Sequence, residues 1–214
     1  MMDVFAAIAA RRDVRNEFSG EVIDDGTLVR LLGAAHSAPS VGNTQPWDFV
    51  VVQEPASLKA FAEHVDRCRT DFADSLPQDR RDTFNPINVQ GIESSGTGVV
   101  VTYDPTRGGP NILGRHTVDE TGHLSVALAI QNLWLAATAE GIGVGWVSFY
   151  HEDTVRELVG VPAGVHIVAW LCVGPVTEFQ RVPDLERFGW RDRRPLSDAV
   201  HRERFGRHKI ETYP

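Results

Sequence analysis

Residues 123–140 constrain this chain more than any other stretch. Val126, Ile130, Leu133 and Ala137 recur at helical spacing, and Ala127, Trp134 and Leu135 add apolar surface on other sides. A helix that is apolar on most sides belongs in the centre of a fold or in an interface between chains. Gly141 and Gly143 end it. Around it the sequence alternates. Trp47–Val52, Val99–Tyr103, Val144–Phe149 and His166–Val173 read as apolar strands. Further helices are predicted at 3–10, with Val4, Phe5 and Ile8 on one face, and after a cap at Asp24 or Asp25, with Leu28, Leu31, Leu32 and Ala35. Two more are predicted at 56–70, with Leu58, Phe61, Ala62 and Val65, and at 151–158. Strands alternating with helices imply a layered α/β or α+β fold.

No repeat or linker divides the 214 residues, so one domain over 1–214 is expected. Residues 71–95 are polar and poorly periodic, with Pro77 and Pro86, and suit a helical excursion or a mobile lid. From Pro175 to the end, 175–214, runs a Pro- and Arg-rich extension. Its scattered anchors Phe179, Leu185, Phe188, Trp190 and Leu196 suit wrapping around a second subunit.

A net charge of -8 and a pI of about 5.4 argue against nucleic acid or an anionic membrane as partner. No apolar run approaches the roughly 20 residues of a membrane span, and the start lacks a signal-peptide pattern. A cytoplasmic protein is expected. Cys68 and Cys172 form no CxxC and read as idle thiols. The eight histidines have no metal-ligand spacing, so no metal is assigned. Walker, strand-to-helix GxGxxG and GxSxG patterns are missing.

An anionic ligand would therefore need a local basic cluster. Arg11-Arg12-Asp13-Val14-Arg15 supplies one. In an extended segment Arg11, Asp13 and Arg15 share one face, and guanidinium forks suit phosphate. The alternative is a salt-bridged surface strand. Next comes Ala38-Pro39-Ser40-Val41-Gly42-Asn43-Thr44-Gln45-Pro46-Trp47, a rigid loop with hydrogen-bonding groups for the edge of a flat heteroaromatic ring. In Gly143-Val144-Gly145-Trp146-Val147-Ser148 the glycines allow close backbone approach, and Ser148 offers a hydroxyl. Arg191, Arg193 and Arg194 add charge. Anionic at one end, flat and hydrogen-bonding at the other, the matching ligand is a flavin mononucleotide.

These stretches, with Arg107-Gly108-Gly109, Leu113-Gly114-Arg115, Gln131-Asn132-Leu133-Trp134-Leu135-Ala136-Ala137, Val168-Ala169-Trp170-Leu171-Cys172 and Gly189-Trp190-Arg191, resemble the BluB branch of the nitroreductase-like flavoproteins. The likeness covers nearly the whole chain. It implies an α+β nitroreductase-like fold, with a central mixed sheet flanked by helices, in an intertwined homodimer holding FMN at the interface. It implies 5,6-dimethylbenzimidazole synthase activity. Reduced FMN is then substrate as well as cofactor, O2 is co-substrate, and a separate flavin reductase is a possible partner. By motif position Asp13 and Ser148 look catalytic, with Asp13 moving protons as acid or base. Its arginine neighbours would favour the charged form. Arg11, Arg12, Val14, Arg15, Pro39, Ser40, Gly42, Gln45 and Arg193 look like flavin contacts. The chain departs from the family pattern at Thr121-Gly122-His123-Leu124, at Ser94-Ser95-Gly96 and at Asn85-Pro86-Ile87-Asn88. Two alternatives stay open: an NAD(P)H-dependent nitroreductase or flavin reductase, and a flavin-storage protein without turnover.

Overall fold

The computed structural model describes residues 2–206; the end of the C-terminal extension, 207–214, lies outside the described residues. Eight helices and four strands are described. They are α1 (Val4–Ala10), α2 (Asp25–His36), β1 (Trp47–Val52), α3 (Pro55–Ser75), α4 (Gln78–Phe84), α5 (Ile92–Ser95), β2 (Gly98–Tyr103), α6 (Thr121–Ala139), β3 (Ile142–Val147), α7 (Glu152–Val159), β4 (His166–Pro175) and α8 (Asp184–Arg187).

The sheet runs β1-β2-β4-β3, and every pair of these strands is antiparallel. The mixed sheet expected from sequence is thus antiparallel among its named strands. Its parallel component is one isolated bridge, Asp13 to Val144, where the Val14 N–H donates to the Val144 carbonyl at 3.0 Å. The bridge covers the free edge of β3 with the extended N-terminal segment.

Both faces of the sheet are covered, so β2 is buried at all six positions and reads as a continuous apolar run. Its alternate residues split between two cores. Val99, Val101 and Tyr103 pack with Leu31 of α2 and Val126, Ile130 and Leu133 of α6. Val100 packs with Phe61 and Val65 of α3 and with Trp170, on which Phe61 stacks at 3.8 Å.

Helix ends follow local chemistry. Asp3 and Asp24 accept from the backbone N–H of Ala6 and Thr27, each at 2.9 Å, and Pro55 begins α3. Helix α3 runs five residues beyond its expected end at 70, because Ala73 is still buried and Phe72 still packs on the core. Strand β3 stops at Val147, two residues before its expected end, so Ser148 and Phe149 leave the ladder.

The 71–95 stretch contains α4 and α5, and Phe84, Ile87, Val89 and Ile92 are buried in the core. The tail wraps around its own chain: Phe179, Phe188 and Trp190 pack against the core of α3 and α4. Helix α6 buries Val126, Ala129, Ile130 and Leu133, yet leaves Leu124 and Leu128 exposed. On α1, which packs against α6, Val4, Phe5 and Ile8 are exposed.

Candidate active site

Asp13 sits where the N-terminal segment crosses β3. Its carboxylate accepts the Trp146 N–H at 2.8 Å and an Arg15 Nη2 bond at 2.7 Å. Arg15 is buried; Nη2 also donates to the Trp146 carbonyl at 2.6 Å and Nη1 to the Val14 carbonyl at 3.2 Å. Gly145 makes this possible. A Cβ there would stand 2.2 Å from both Arg15 Nη1 and the Val14 carbonyl oxygen. Arg15, expected as a flavin contact, lines the same cavity as Asp13, and its guanidinium also holds the Asp13 carboxylate.

Asp13 lines a cavity of about 320 Å³ together with Arg12, Asn88, Trp146, Ser148, Phe149 and Asp184. Val14 belongs to the same wall, and about half of the Asp13 side chain remains exposed. The surrounding protein pushes the Asp13 carboxyl above its ordinary value, and the Asp184 charge adds to this. Arg15, the Trp146 N–H and Arg11 pull the other way without prevailing. The flanking arginines do favour the charged form, as expected, but the loss of solvation beside the surrounding protein, even with half of the side chain open to the cavity, acts more strongly in the other direction. Ser148, 135 positions later, is exposed into the cavity and makes no hydrogen bond within the described residues.

Beside the cavity lies a basic cluster. Arg11 stands 4.9 Å from the Trp134 ring and Arg193 lies close enough to repel it; among the described residues neither guanidinium has a carboxylate partner within ion-pair distance. Burial lowers the Arg11 pKa, and Arg12 and Arg193 lower it further against the raising effect of Asp13. Arg12 gives all its bonds to carbonyls, those of Ala9 (2.8 Å), Arg11 (2.7 Å) and Arg181 (2.6 Å), and its buried Nε has no partner. The single-face expectation thus fails for Arg12, which reaches the cavity too, because the segment pairs with β3 at only one bridge. Guanidinium groups without carboxylates are suited to phosphate oxygens.

The 38–47 loop lines no part of this cavity. It packs against α6, where the Val41 N–H donates to Ser125 Oγ at 3.0 Å. Ser40 Oγ accepts the Gln45 N–H at 2.9 Å, and Gln45 Nε2 folds back on Asn43 Oδ1 at 2.7 Å. Gly42, Asn43 and Gln45 all have positive φ, at 57°, 54° and 41°. Two non-glycine residues held there are the kind of local strain that clusters at ligand sites. Pro39, Ser40, Gly42 and Gln45 are thus separated from Asp13 and Ser148 within one chain.

Sequence reasoning missed Asn88, Phe149 and the 180–185 arm, which closes the cavity with Gln180, Val182 and Asp184. The apolar anchors of the tail were a signal that it packs somewhere, but not that it packs here. Among the described residues no cluster of three or more metal-ligating side chains exists. Cys172 is buried, which pushes its thiol up to about 11, and Cys68 is raised by the same cause. Both are free, as the idle-thiol reading expects. No described helix is long and apolar enough to cross a membrane.

The nitroreductase family model matches residues 8–175, which include both the arginine segment and β3. The chain belongs to the nitroreductase family. Within that family it is 41% identical over 185 residues to the 5,6-dimethylbenzimidazole synthase of Rhodospirillum rubrum, covering 86% of this chain and 87% of that one. It is 36% identical over 188 residues to the enzyme of the same name from Rhodobacter capsulatus, covering 86% and 89%. Among solved nitroreductase-like structures, a BluB-like flavoprotein from Clostridium difficile 630 superposes with a TM-score of 0.70 at 19% identity, over 95% of this chain and 100% of that one. An iodotyrosine deiodinase bound to FMN and 3-iodo-L-tyrosine gives 0.71 at 20% identity, over 85% and 94%. The nitroreductase-like α+β fold expected from sequence is the fold observed.

Proposed function

We propose that this member of the nitroreductase family is a 5,6-dimethylbenzimidazole synthase that fragments reduced FMN with O2, releasing erythrose 4-phosphate. The observation that carries the reading is the shared cavity of Asp13 and Ser148 beside unpaired guanidinium groups, in a chain this similar to two synthases of that name. FMN fits the residues present. Arg11 and Arg193, with Arg12, would hold its phosphate, and the orphan Nε of Arg12 has a bond to give. The Trp146–Phe149 wall would lie against its ring. When bound in reduced form, FMN supplies both the electrons for oxygen and the carbon skeleton of the product.

The chain's own residues supply positioning and proton transfer. Asp13, pushed toward its protonated form, would be the group to give up a proton to bound FMN and take one back. Ser148, exposed in the cavity, would offer its hydroxyl to the flavin. Val182 and Leu185 keep bulk water from one side.

The same proposal includes a homodimer with FMN between its subunits. The separation of the 38–47 loop from the cavity supports it, since a second copy could bring Ser40, Gly42 and Gln45 to the first copy's flavin. The exposed apolar residues of α1 and α6 supply a surface for that contact. A cytoplasmic location and a separate flavin reductase as the source of reduced FMN belong to the same reading.

The test is incubation of the protein with excess reduced FMN under air, followed by mass detection of the benzimidazole. Product formed by the parent, and formed far more slowly by Asp13→Asn, is the expected result. Rapid NAD(P)H oxidation with no benzimidazole would overturn the proposal in favour of a reductase.

A further inference from the structure

The arginine segment rests on the central helix through one side chain. Trp134 of α6 is buried, and it reaches the segment twice. Its indole N–H donates to the Arg12 carbonyl at 3.0 Å. Its ring lies under the Arg11 guanidinium, 4.9 Å from ring centre to the guanidinium carbon. The Arg11 backbone is fixed on both sides. Its N–H donates to the Ala7 carbonyl at 2.9 Å, closing α1, and its carbonyl accepts from Arg12 Nη1 at 2.7 Å. Its side chain is held differently. Among the described residues the Arg11 guanidinium makes no hydrogen bond and no ion pair, and its contact is with the Trp134 ring.

We propose that Trp134 is a positioning residue for the phosphate site: its ring holds the Arg11 guanidinium and its N–H holds the Arg12 carbonyl, so that a phosphomonoester meets Arg11 already in place. An aromatic face attracts a guanidinium through its charge and uses none of its N–H donors. A carboxylate in the same place would occupy those donors and offset the charge. The ring thus fixes the cation and leaves it ready for an anion. Fixing is needed here, because Arg12 and Arg193 lie near enough to repel Arg11, whose side chain is only half-buried. A cation ordered beforehand gives up less conformational freedom when the ligand arrives. The bond to the Arg12 carbonyl serves the same end. It ties the backbone between Arg11 and Asp13 to α6, one residue before Asp13 reaches β3.

This inference rests on Arg11 being a phosphate contact of FMN, as in the proposed function, but it is tested without turnover. The test compares oxidised FMN with riboflavin, which differ by the phosphate alone. Each is titrated into the full-length protein and binding is read by flavin fluorescence. The parent prefers FMN. Trp134→Leu removes both ring and N–H and lowers that preference by about tenfold, while the affinity for riboflavin stays that of the parent. Trp134→Phe keeps a ring for the guanidinium and lowers the preference by about threefold. Added to Arg11→Ala, Trp134→Leu costs less preference than it does alone, because the ring acts through Arg11. Equal weakening of both flavins, the mark of a loosened core, overturns the proposal. So does a preference left unchanged by the variants, a parent without preference, or losses that simply add. Should Trp134→Leu not fold, the Trp134→Phe preference decides. Benzimidazole formation is scored apart from this. A parent that makes product while the Trp134 variants keep its preference sinks this inference alone; a preference lost as expected in a chain that makes no product sinks the synthase reading alone.

Discussion

Asp13 is held in a state that costs the folded protein something. Its carboxyl is raised by burial, so below the ordinary aspartate value of about 3.8 both folded and unfolded chains carry the proton and no penalty arises. As pH rises through that value the unfolded chain loses its proton readily and the folded chain does not. The penalty grows until the raised folded value is passed and is constant above it. Asp13→Asn keeps an oxygen for the Trp146 N–H and removes the charge. The variant is expected to melt no lower than the parent at pH 8, with the difference shrinking toward pH 4, while benzimidazole formation falls by about 10²–10⁴. Scanning calorimetry at the two pH values checks the first part; a clear loss of stability at pH 8 would refute it. Gly145 makes the complementary point. Gly145→Ala drives a methyl group into Val14 and Arg15, with backbone on one side, and is expected to cost about 1–3 kcal/mol in chemical denaturation. It should also weaken FMN binding, because Asp13 and Arg15 move together.

At the scale of elements, the regular parts were legible in the sequence and the irregular parts were not. Helix α6 and the strands announce themselves because each buries a periodic set of side chains, whereas the arginine segment is marked by its composition alone. Ile87 and Val89 follow no period; they are buried by the elements around them, so 71–95 reads as polar cover when it also supplies core. The tail shows its apolar anchors but not their target, which depends on where α3 and α4 end up. That Ser148 faces the cavity was signalled by its place in the glycine-rich strand, yet the early end of β3 that frees it was not. The arm itself is held at its start by Arg12. A bond from a charged donor contributes about 1.5–3 kcal/mol, so Arg12→Ala should raise the population of the released arm by about tenfold or more. Limited proteolysis reads this directly: cleavage between residues 178 and 194 should quicken in the variant while cleavage elsewhere does not. Equal rates in parent and variant would show that the aromatic contacts of Trp190 hold the arm alone.

For the whole molecule, the most telling fact is that the flavin contacts expected from sequence fall in two places. Arg11, Arg12, Asp13, Ser148 and Arg193 gather at the crossing of β3. Pro39, Ser40, Gly42 and Gln45 gather on the far loop against α6. Position along the chain does not separate these sets, because Arg11–Asp13 and Pro39–Gln45 both precede the first strand. Only the folded chain shows that the loop residues stay out of the cavity that Asp13 and Ser148 line. In the proposed homodimer, the exposed apolar residues of α1 and α6 are the surface through which a second copy would bring its loop to the first copy's cavity. Phe5→Asp combined with Leu128→Asp places charges on that surface while touching no buried side chain of the single subunit. An unpaired charge at a dry contact is costly enough to break the pair. The double variant is expected to elute as a monomer with a far-ultraviolet spectrum like the parent's, and to bind FMN at least tenfold more weakly. Size-exclusion chromatography with light scattering, followed by a flavin fluorescence titration, measures both. A variant that is monomeric yet binds FMN as tightly as the parent would mean that the cavity of one chain is sufficient. The strained loop at Gly42–Gln45 would then need another explanation.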